Sequence, residues 1–199
     1  MTIDRETVAF YDKNAAVYIQ KITENAPTAS FLRFSERLKP KGAVLDFGCG
    51  GGSTARWFLA RSFQVSAFDA SKSMIAEVQK TPGITTICAD FQMLDAISAF
   101  DAIWANFSLQ HVPREALPEI LDKIATALRP KGWLHIGIHE GNETLRDSLG
   151  RLYCHHSEAA LKEALNERGI SVQQLTRTPD IGYDGRAFNA MMIEAQKHA

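Results

Sequence analysis

The chain has 199 residues, with 22 Lys and Arg against 23 Asp and Glu, and therefore a formal net charge of -1. Apolar residues make up 45% of it and charged residues 23%, an ordinary globular composition that excludes a disordered, collagen-like or low-complexity chain. The neutral balance also argues against a dedicated nucleic-acid binder, because such proteins normally carry a basic surplus.

The cysteines and the apolar segments of the sequence indicate where in the cell the protein is expected. Cys49, Cys88 and Cys154 are widely spaced and form no CxxC pair, so the sequence predicts neither a disulfide framework nor a zinc site. The N-terminus has early acidic residues and lacks the apolar segment of a signal peptide, and no stretch approaches the roughly 18 apolar residues of a membrane span. We therefore expect a cytoplasmic protein without a membrane segment.

The first 38 residues are polar and have helical periodicity. In FYDKNAAVYIQKI the apolar residues fall on one helical stripe, which predicts an amphipathic helix. A second helix is predicted over TASFLRFSERL, and the cluster Lys39-Pro40-Lys41-Gly42 should end it.

Short β-rich runs alternate with amphipathic helical runs over the next hundred residues or so. Strands are predicted at 43–47, 64–69, 84–89, 100–105 and 133–139, and helices near 53–62, 72–80 and 114–128. Near-continuous apolar strands separated by helices are typical of a parallel sheet that is covered on both faces. Pro118 falls inside the last helix, which should begin or bend there.

The alternation relaxes after His139. The segment 140–156 is polar and is interpreted as a loop or a short helix. A helix with Ser157 as its N-cap follows. The last two strands, 170–177 and 188–196, are separated by too few residues for a helical crossover, so they should pair antiparallel.

The most informative segment is the glycine-rich turn VLDFGCGGGS. Its strand ends in Asp46, and Gly48, Gly50 and Gly52 follow at alternate positions before a helix begins. Glycine allows positive φ angles and lets a ligand approach the backbone, while the first N–H groups of the helix are free donors. The segment therefore predicts a ligand site at the end of the first strand.

A dinucleotide site is the alternative interpretation of this turn. The fingerprint GxGxxG would need Gly or Ala at position 53, where this chain has Ser53. Asp46 is also foreign to that fingerprint, because a carboxylate there would repel a pyrophosphate but would suit a cationic group such as an ammonium. An NAD-type oxidoreductase is thus the weaker hypothesis.

Acidic residues also end the next two strands. Asp69 follows the second strand and can accept hydrogen bonds from both hydroxyls of a ribose. Asp90 follows the third strand, where it can accept from an exocyclic amine of a purine, and Phe91 beside it offers an apolar face to a ring. Together with Asp46 they share the carboxyl edge at which α/β sheets bind ligands.

With these motifs the chain resembles the class I S-adenosylmethionine-dependent methyltransferases. VLDFGCGGGS resembles their first motif, VSAFDASKSMI the second, CADF the third and FDAIWANFSLQHVP the fourth, and LRPKGWLHIG resembles the run into the fifth strand. The N-terminal helix is similar to the YDxxAxxY-like lid helix of the small-molecule group, which Tyr11, Asp12, Ala15 and Tyr18 match. One departure is Ser62-Phe63, where the family usually has a glycine before the second strand.

The resemblance implies an α/β, doubly wound, Rossmann-like fold with a seven-stranded, mostly parallel sheet and a C-terminal antiparallel hairpin. With the length, it gives one domain over 1–199, in which 1–38 form a helical lid and 39–199 the cofactor-binding core. It implies S-adenosylmethionine as cofactor, with Asp46 near its ammonium end, Asp69 on the ribose and Asp90 on the adenine. The full set of implied cofactor-binding residues is Tyr18, Asp46, Gly48, Cys49, Gly50, Gly52, Asp69, Ala70, Met74, Asp90, Phe91 and Asn106.

Methyl transfer from a sulfonium is an in-line displacement that needs little covalent help. Alignment of the reacting atoms can lower the activation free energy by up to about 7–11 kcal/mol. A general base matters only for a hydroxyl or a protonated amine acceptor. His111, His139 and Tyr153 are the candidate catalytic residues, and His155 and His156 are further candidates for the wall of an acceptor pocket. Each of them also has a purely structural interpretation.

The residues after the fourth strand indicate whether transfer depends on a metal ion and whether the acceptor is a nucleic acid. Metal-dependent O-methyltransferases need acidic residues there, whereas this chain has Ala105, Asn106 and Phe107, so we expect metal-independent transfer and assign no metal ligand. The Asn/Asp-Pro-Pro-aromatic tetrapeptide of DNA N-methyltransferases is missing as well. We expect a small-molecule acceptor, no nucleic-acid or membrane partner, and a monomer or homodimer. A binding module that keeps the cofactor pocket without transferase activity is the alternative.

Overall fold

The computed structural model describes residues 4–22 and 27–199. Their helices are α1 (Arg5–Ile22), α2 (Ala29–Glu36), α3 (Ser53–Ala60), α4 (Lys72–Val78), α5 (Leu117–Ala127) and α6 (Glu158–Asn166). Their strands are β1 (Ala43–Phe47), β2 (Gln64–Asp69), β3 (Ile84–Cys88), β4 (Phe100–Asn106), β5 (Leu128–His139), β6 (Thr144–Arg146), β7 (Leu152–Cys154), β8 (Ile170–Ile181) and β9 (Ala187–Lys197).

Seven of these strands form one sheet in the order β3-β2-β1-β4-β5-β9-β8. The pairs from β3 to β5 are parallel, and β9 pairs antiparallel with both β5 and β8. This arrangement confirms the predicted doubly wound, mostly parallel sheet with a C-terminal antiparallel hairpin. The chain reverses its strand order between β1 and β4, and such a switch point opens a crevice at the carboxyl ends of the strands.

Two apolar clusters cover the two faces of the sheet. One contains Phe31 and Phe34 of α2 and Phe58 of α3, packed on the inner strands, and the other contains the apolar stripe of α5 and part of α6. Helix α2 is also tied to β9 by ion pairs, because Arg33 and Arg37 both contact the buried Glu194 at 2.9 and 2.6 Å. Apolar burial on both faces explains why the central strands are almost uniformly hydrophobic.

Local signals in the sequence account for several boundaries. Pro118 lies in the first turn of α5, as predicted, since a proline lacks an N–H that this turn would not use. Ser157 caps α6 by accepting a hydrogen bond from the N–H of Ala160. Ser62, which stands where the resembling family usually has a glycine, adopts a left-handed conformation with φ of 66°. The turn before β2 is therefore kept without the glycine.

The interpretation of 140–156 as a loop or short helix is wrong. This segment contains the short antiparallel hairpin of β6 and β7, in which Leu145 pairs with Tyr153. Both strands have three residues, too few for an alternating pattern to show in the sequence. The strand predicted at 133–139 also begins earlier, at Leu128, and the one predicted at 170–177 extends to Ile181.

Among the described residues, no helix is both long and apolar enough to cross a membrane.

Candidate functional site

A cavity of about 690 Å³ lies at the carboxyl edge of the sheet. Its floor is formed by the ends of β1, β2 and β4 and by the glycine-rich turn, and its roof by α1 and by the tip of the β8–β9 hairpin. The predicted site residues that line it are Tyr18, Asp46, Gly48, Cys49, Gly50, Asp69, Ala70, Met74, Phe91, Asn106, His111, His139 and Tyr153. Gly52 and Asp90 lie outside this lining.

The glycines of the turn have different tasks. Gly48, Gly50 and Gly52 all have positive φ, at 80°, 50° and 79°. A Cβ on Gly48 would lie 2.2 Å from the Cβ of Ser108, and one on Gly52 would lie 2.7 Å from Val78, so at these two positions glycine is needed for packing. A Cβ on Gly50 would meet nothing within 4 Å, so Gly50 is the glycine of this set whose missing side chain leaves room for a ligand.

Asp46 ends β1 beneath this turn and is only 3% exposed. Burial raises its pKa to about 7, although a hydrogen bond from the backbone of Ala55 opposes the shift. Its Oδ2 is buried and has no hydrogen-bond partner among the described residues. The indole N–H of Trp104, the register partner of Asp46 on β4, is unpartnered in the same way. A buried acceptor and a buried donor without partners are costly, and an ammonium group would satisfy the acceptor.

Asp69 ends β2 and is held by the backbone. Its Oδ2 accepts a hydrogen bond from the N–H of Gly50, and its Oδ1 accepts one from the N–H of Ser71, both at 2.9 Å. Burial raises its pKa, and these backbone hydrogen bonds oppose the increase. A third backbone hydrogen bond comes from Ala70, and the carboxylate, with about four acceptor positions, still has acceptor capacity left for a ligand hydroxyl.

Asp90, Phe91 and Asn106 lie at the ends of β3 and β4. Asp90 caps the short helical turn after β3 by accepting from the N–H of Gln92, while Phe91 is buried against Phe47 with ring centroids 4.3 Å apart. Asn106 accepts a hydrogen bond from Nε2 of His135 at 3.2 Å, which fixes the amide at the cavity wall. Of these residues, Phe91 and Asn106 contact the cavity.

The half of the cavity away from the glycine turn is aromatic. His139 stacks between the rings of Phe188 and Tyr153, with centroid distances of 3.5 and 5.1 Å. Burial and the nearby His155, whose Nε2 lies 3.4 Å from Nδ1 of His139, together lower the pKa of His139 to about 3. His139 is thus held neutral and in a fixed orientation.

His155 and His156 do not line the cavity. His155 lies behind His139, and His156 is buried beside Arg114, whose Nη1 is 3.4 Å from its Nδ1. Burial, together with the Arg114 charge, lowers the pKa of His156 to about 4. Both histidines support the wall rather than forming its surface. No group of three or more His, Cys, Asp and Glu side chains that could hold a metal ion occurs within 4–22 and 27–199.

Arg151 is the main site residue that sequence reasoning missed. It lines the cavity, is 1% exposed, and forms a buried ion pair with Asp147, 2.6 Å away. Its guanidinium also lies about 5 Å from the ring centroids of Phe10, Tyr153 and Tyr183. The only sequence signal for it was an Asp and an Arg four positions apart in a segment taken to be solvated.

The tip of the β8–β9 hairpin was missed as well. Tyr183 at this tip packs against Tyr18 of α1 with the rings tilted by 44° and their centroids 4.8 Å apart, and its carbonyl accepts a hydrogen bond from Lys21. Phe107, just after β4, lines the cavity in a left-handed conformation with φ of 54°, which is costly for an aromatic residue. The roof is thus built by residues from both ends of the chain.

Comparison with known proteins identifies similar chains. Residues 44–132 match a family described as a methyltransferase domain. Trans-aconitate 2-methyltransferase of Escherichia coli is 33% identical over 131 residues, which are 63% of this chain and 50% of that enzyme. Malonyl-(acyl-carrier protein) O-methyltransferase of Enterobacter lignolyticus is 29% identical over 135 residues, 66% of this chain and 53% of that enzyme. The chain therefore spans about half the length of these relatives.

A solved structure has the same fold. The crystal structure of 1,6-didemethyltoxoflavin-N1-methyltransferase from Burkholderia thailandensis, with bound 1,6-didemethyltoxoflavin and S-adenosylhomocysteine, matches with a TM-score of 0.78. The match covers 96% of this chain and 85% of that chain, at 22% identity. At this identity the likeness concerns the architecture of the chain.

Proposed function

We propose that the chain is a class I S-adenosylmethionine-dependent methyltransferase, which transfers a methyl group from S-adenosylmethionine to a small-molecule acceptor. When bound, this cofactor supplies an electrophilic methyl group on a sulfonium. The finer parts of the proposal are that the transfer is in line, that it needs no metal ion, and that α1 serves as a lid over the site.

One observation carries the proposal: Oδ2 of Asp46 is buried, unpartnered and next to the turn in which Gly50 leaves open space. The amino-acid end of S-adenosylmethionine carries an ammonium group, which matches an ionised carboxylate in this position. Asp69 has lone pairs for the ribose hydroxyls, and Phe91 offers an apolar surface for the adenine ring. The residues of this chain therefore fit the cofactor.

The proposal gives roles to further residues of the cavity. Gly48, Cys49 and Gly50 would follow the methionine moiety, with Asn106 on its other side, while Ala70 and Met74 would line the ribose side. His111, His139 and Tyr153 would face the acceptor, where His111 and His139 are neutral because burial lowers their pKa values to about 4 and about 3. Neutral aromatic walls suit a compact acceptor rather than a polymer.

Titration calorimetry with S-adenosylhomocysteine tests the cofactor assignment on the full chain. We expect one binding site with micromolar affinity and a strong loss in Asp69→Ala, because two ribose hydroxyls lose their partner. Asp95→Asn, an exposed carboxyl on another part of the surface, serves as the matched control. Binding of NADH instead, seen as enhanced nicotinamide fluorescence, would favour the oxidoreductase hypothesis.

A turnover assay separates an enzyme from a binding module. Formation of S-adenosylhomocysteine from S-adenosylmethionine is followed with a panel of carboxylic acids, phenols, amines and thiols. Acceptor-dependent product formation supports the methyltransferase, whereas tight cofactor binding with no turnover on any acceptor supports the binding module.

A further inference from the structure

Three hydrogen bonds form a continuous chain across the acceptor half of the cavity. Nη1 of Arg151 lies 3.1 Å from the hydroxyl of Tyr11, and this hydroxyl lies 3.0 Å from Nε2 of His111. Nδ1 of His111 in turn lies 2.6 Å from the carbonyl oxygen of Leu152. Tyr11 and His111 both line the cavity. The chain thus connects α1, the turn after β4 and the β6–β7 hairpin.

The chemistry of the two ends fixes the direction of every bond. The carbonyl of Leu152 can only accept, so Nδ1 of His111 carries a hydrogen, and in a neutral imidazole Nε2 then has a free lone pair. Arg151 can only donate, so the hydroxyl of Tyr11 accepts from Arg151 and donates its own proton to Nε2 of His111. Tyr18 also hydrogen-bonds to Tyr11, so a ligand that uses the remaining lone pair of the Tyr11 oxygen would have to replace Tyr18 there.

The surroundings keep His111 neutral in this arrangement. Burial lowers its pKa to about 4, the bond to Leu152 opposes the decrease, and the Arg151 charge adds to it. The groups that face it are Tyr11 and Asp4 from the N-terminal segment, Arg151, Asp147 and Tyr153 from the β6–β7 hairpin, and His139 from β5. His111 is therefore unprotonated at neutral pH, and the lone pair of its Nε2 faces the Tyr11 hydroxyl.

We propose that Tyr11 takes a proton from the methyl acceptor while it passes its own hydroxyl proton to Nε2 of His111. The acceptor is then a protic group, a hydroxyl or a ring N–H, and not a carboxylate. This inference rests on the proposed methyltransferase function. A carboxylate is already ionised at neutral pH and needs no proton transfer to Tyr11 and His111. For a protic acceptor, a positioned base increases the rate of transfer roughly 10²–10⁴-fold.

The step is balanced in atoms and charge. The acceptor oxygen or nitrogen would form its new bond to the methyl group with its own lone pair, while the methyl–sulfur bond of the donor would break and leave its electrons on sulfur. The O–H or N–H bond of the acceptor would break with the electrons left on that oxygen or nitrogen. The proton goes to the oxygen of Tyr11, and the former Tyr11 proton goes to Nε2 of His111. The imidazolium so formed carries the positive charge that the sulfonium donor loses, and it returns its proton to water afterwards.

The first test reads the hydrogen bonds without any acceptor. The full chain labelled with ¹⁵N-histidine should show His111 with its hydrogen on Nδ1 and an unprotonated Nε2. Tyr11→Phe should shift the Nε2 resonance of His111, because the donated hydrogen bond is lost. A hydrogen on Nε2, or an Nε2 resonance that ignores Tyr11→Phe, overturns the inference.

The second test compares acceptors that differ only in their need for a base. Methyl transfer is measured at about pH 8 to phenol, which is protonated there, to pentafluorophenol, which is ionised, and to 4-methoxybenzoate, which offers only a carboxylate. Two variants are used, Tyr11→Phe and His111→Asn, because Asn can still donate to the carbonyl of Leu152 but lacks Nε2. Tyr183→Phe removes another hydroxyl from the cavity wall and serves as the matched control.

We expect transfer to phenol to fall by at least about 100-fold in both variants and transfer to pentafluorophenol by less than about tenfold. Tyr183→Phe should leave the ratio between the two phenols unchanged. Three results would overturn the inference: equal losses for both phenols, transfer to 4-methoxybenzoate alone, or transfer to none of the probes. If the chain still binds S-adenosylhomocysteine in these cases, the cofactor assignment stands. A wild-type chain that binds no S-adenosylhomocysteine contradicts the proposed function itself, and this inference falls with it.

Discussion

Replacement of Asp46 by Asn should stabilise the chain at neutral and alkaline pH and weaken cofactor binding. Burial raises the pKa of this carboxyl from its ordinary 3.8 to about 7. Between these two values the folded chain binds more protons than the unfolded chain, so the free energy of unfolding decreases as the pH rises through this window. At 1.36 kcal/mol for each pH unit, the ionised Asp46 costs the folded state about 4 kcal/mol by pH 8.

Urea unfolding of the wild type and Asp46→Asn at about pH 4 and about pH 8 measures this difference. The two chains should be nearly equal in stability at the lower pH, and the variant should be more stable at the higher pH by up to about 4 kcal/mol. Asp95→Asn, which changes an exposed carboxyl, should follow the wild type. A stability difference that does not change between the two pH values would refute the assignment of a buried, perturbed carboxyl.

Calorimetry with S-adenosylhomocysteine completes the test of Asp46. Because the ammonium group of the ligand requires the ionised carboxylate, the wild-type affinity should fall about tenfold for each pH unit below about 7. Asp46→Asn should bind roughly 10- to 150-fold more weakly at pH 8, the usual value of a hydrogen bond to a charged group, and should lack this pH dependence. An affinity equal to that of the wild type would mean that Asp46 does not meet the ammonium.

Three other changes test the turn, the acceptor wall and the anchor of α2. Gly50→Ala should lower the free energy of unfolding by about 1–2 kcal/mol, because the φ angle of Gly50 is positive. It should also weaken S-adenosylhomocysteine binding in calorimetry, because the new Cβ would occupy the open space proposed for the ligand. Arg151→Met should lower the free energy of unfolding in urea by about 3–5 kcal/mol, and adding Asp147→Asn should restore part of it, since the loss comes from an uncompensated buried charge. Glu194→Gln should cost about 1–3 kcal/mol, measured the same way, and the loss should shrink at high salt because its two arginine partners are partly exposed. Unchanged unfolding midpoints in the last two cases would contradict the ion pairs.

The sheet and the half of the cavity around the glycine-rich turn could be predicted from the sequence because their signals are local. Hydrophobic runs, the glycine turn and the acids at the strand ends are each contained in about ten residues. Periodicity is strong where a strand is buried on both faces, and the switch point between β1 and β4 then follows from the order of the elements. Sequence reasoning could not separate the glycines, since the need for Gly48 and Gly52 comes from Ser108 and Val78, which are distant in the chain.

The acceptor half could be predicted only in part, because its contacts join distant segments. His111, His139 and Tyr153 were expected near the acceptor, but nothing local indicated that Tyr11 would bond to His111 or that Arg151 would be buried. Three-residue strands give no measurable periodicity, so the segment of the β6–β7 hairpin was interpreted as a loop or a short helix. The ion pair between Arg151 and Asp147 became visible only with the structure.

The contacts of the two halves of the cavity also differ in how far apart their partners lie in the sequence, which affects the order in which they form during folding. The hydrogen bond between Gly50 and Asp69 closes a loop of 19 residues, whereas those from Arg151 to Tyr11 and from Leu152 to Thr7 span 140 and 145 residues. Long loops cost more entropy to close and non-local contacts form slowly, so we expect the glycine-rich turn to be organised before α1 docks on the β6–β7 hairpin. That docked helix is also the easiest part to release while the sheet stays intact. We therefore expect an acceptor that binds to Tyr11 to stabilise these long-range contacts and to protect α1 from opening.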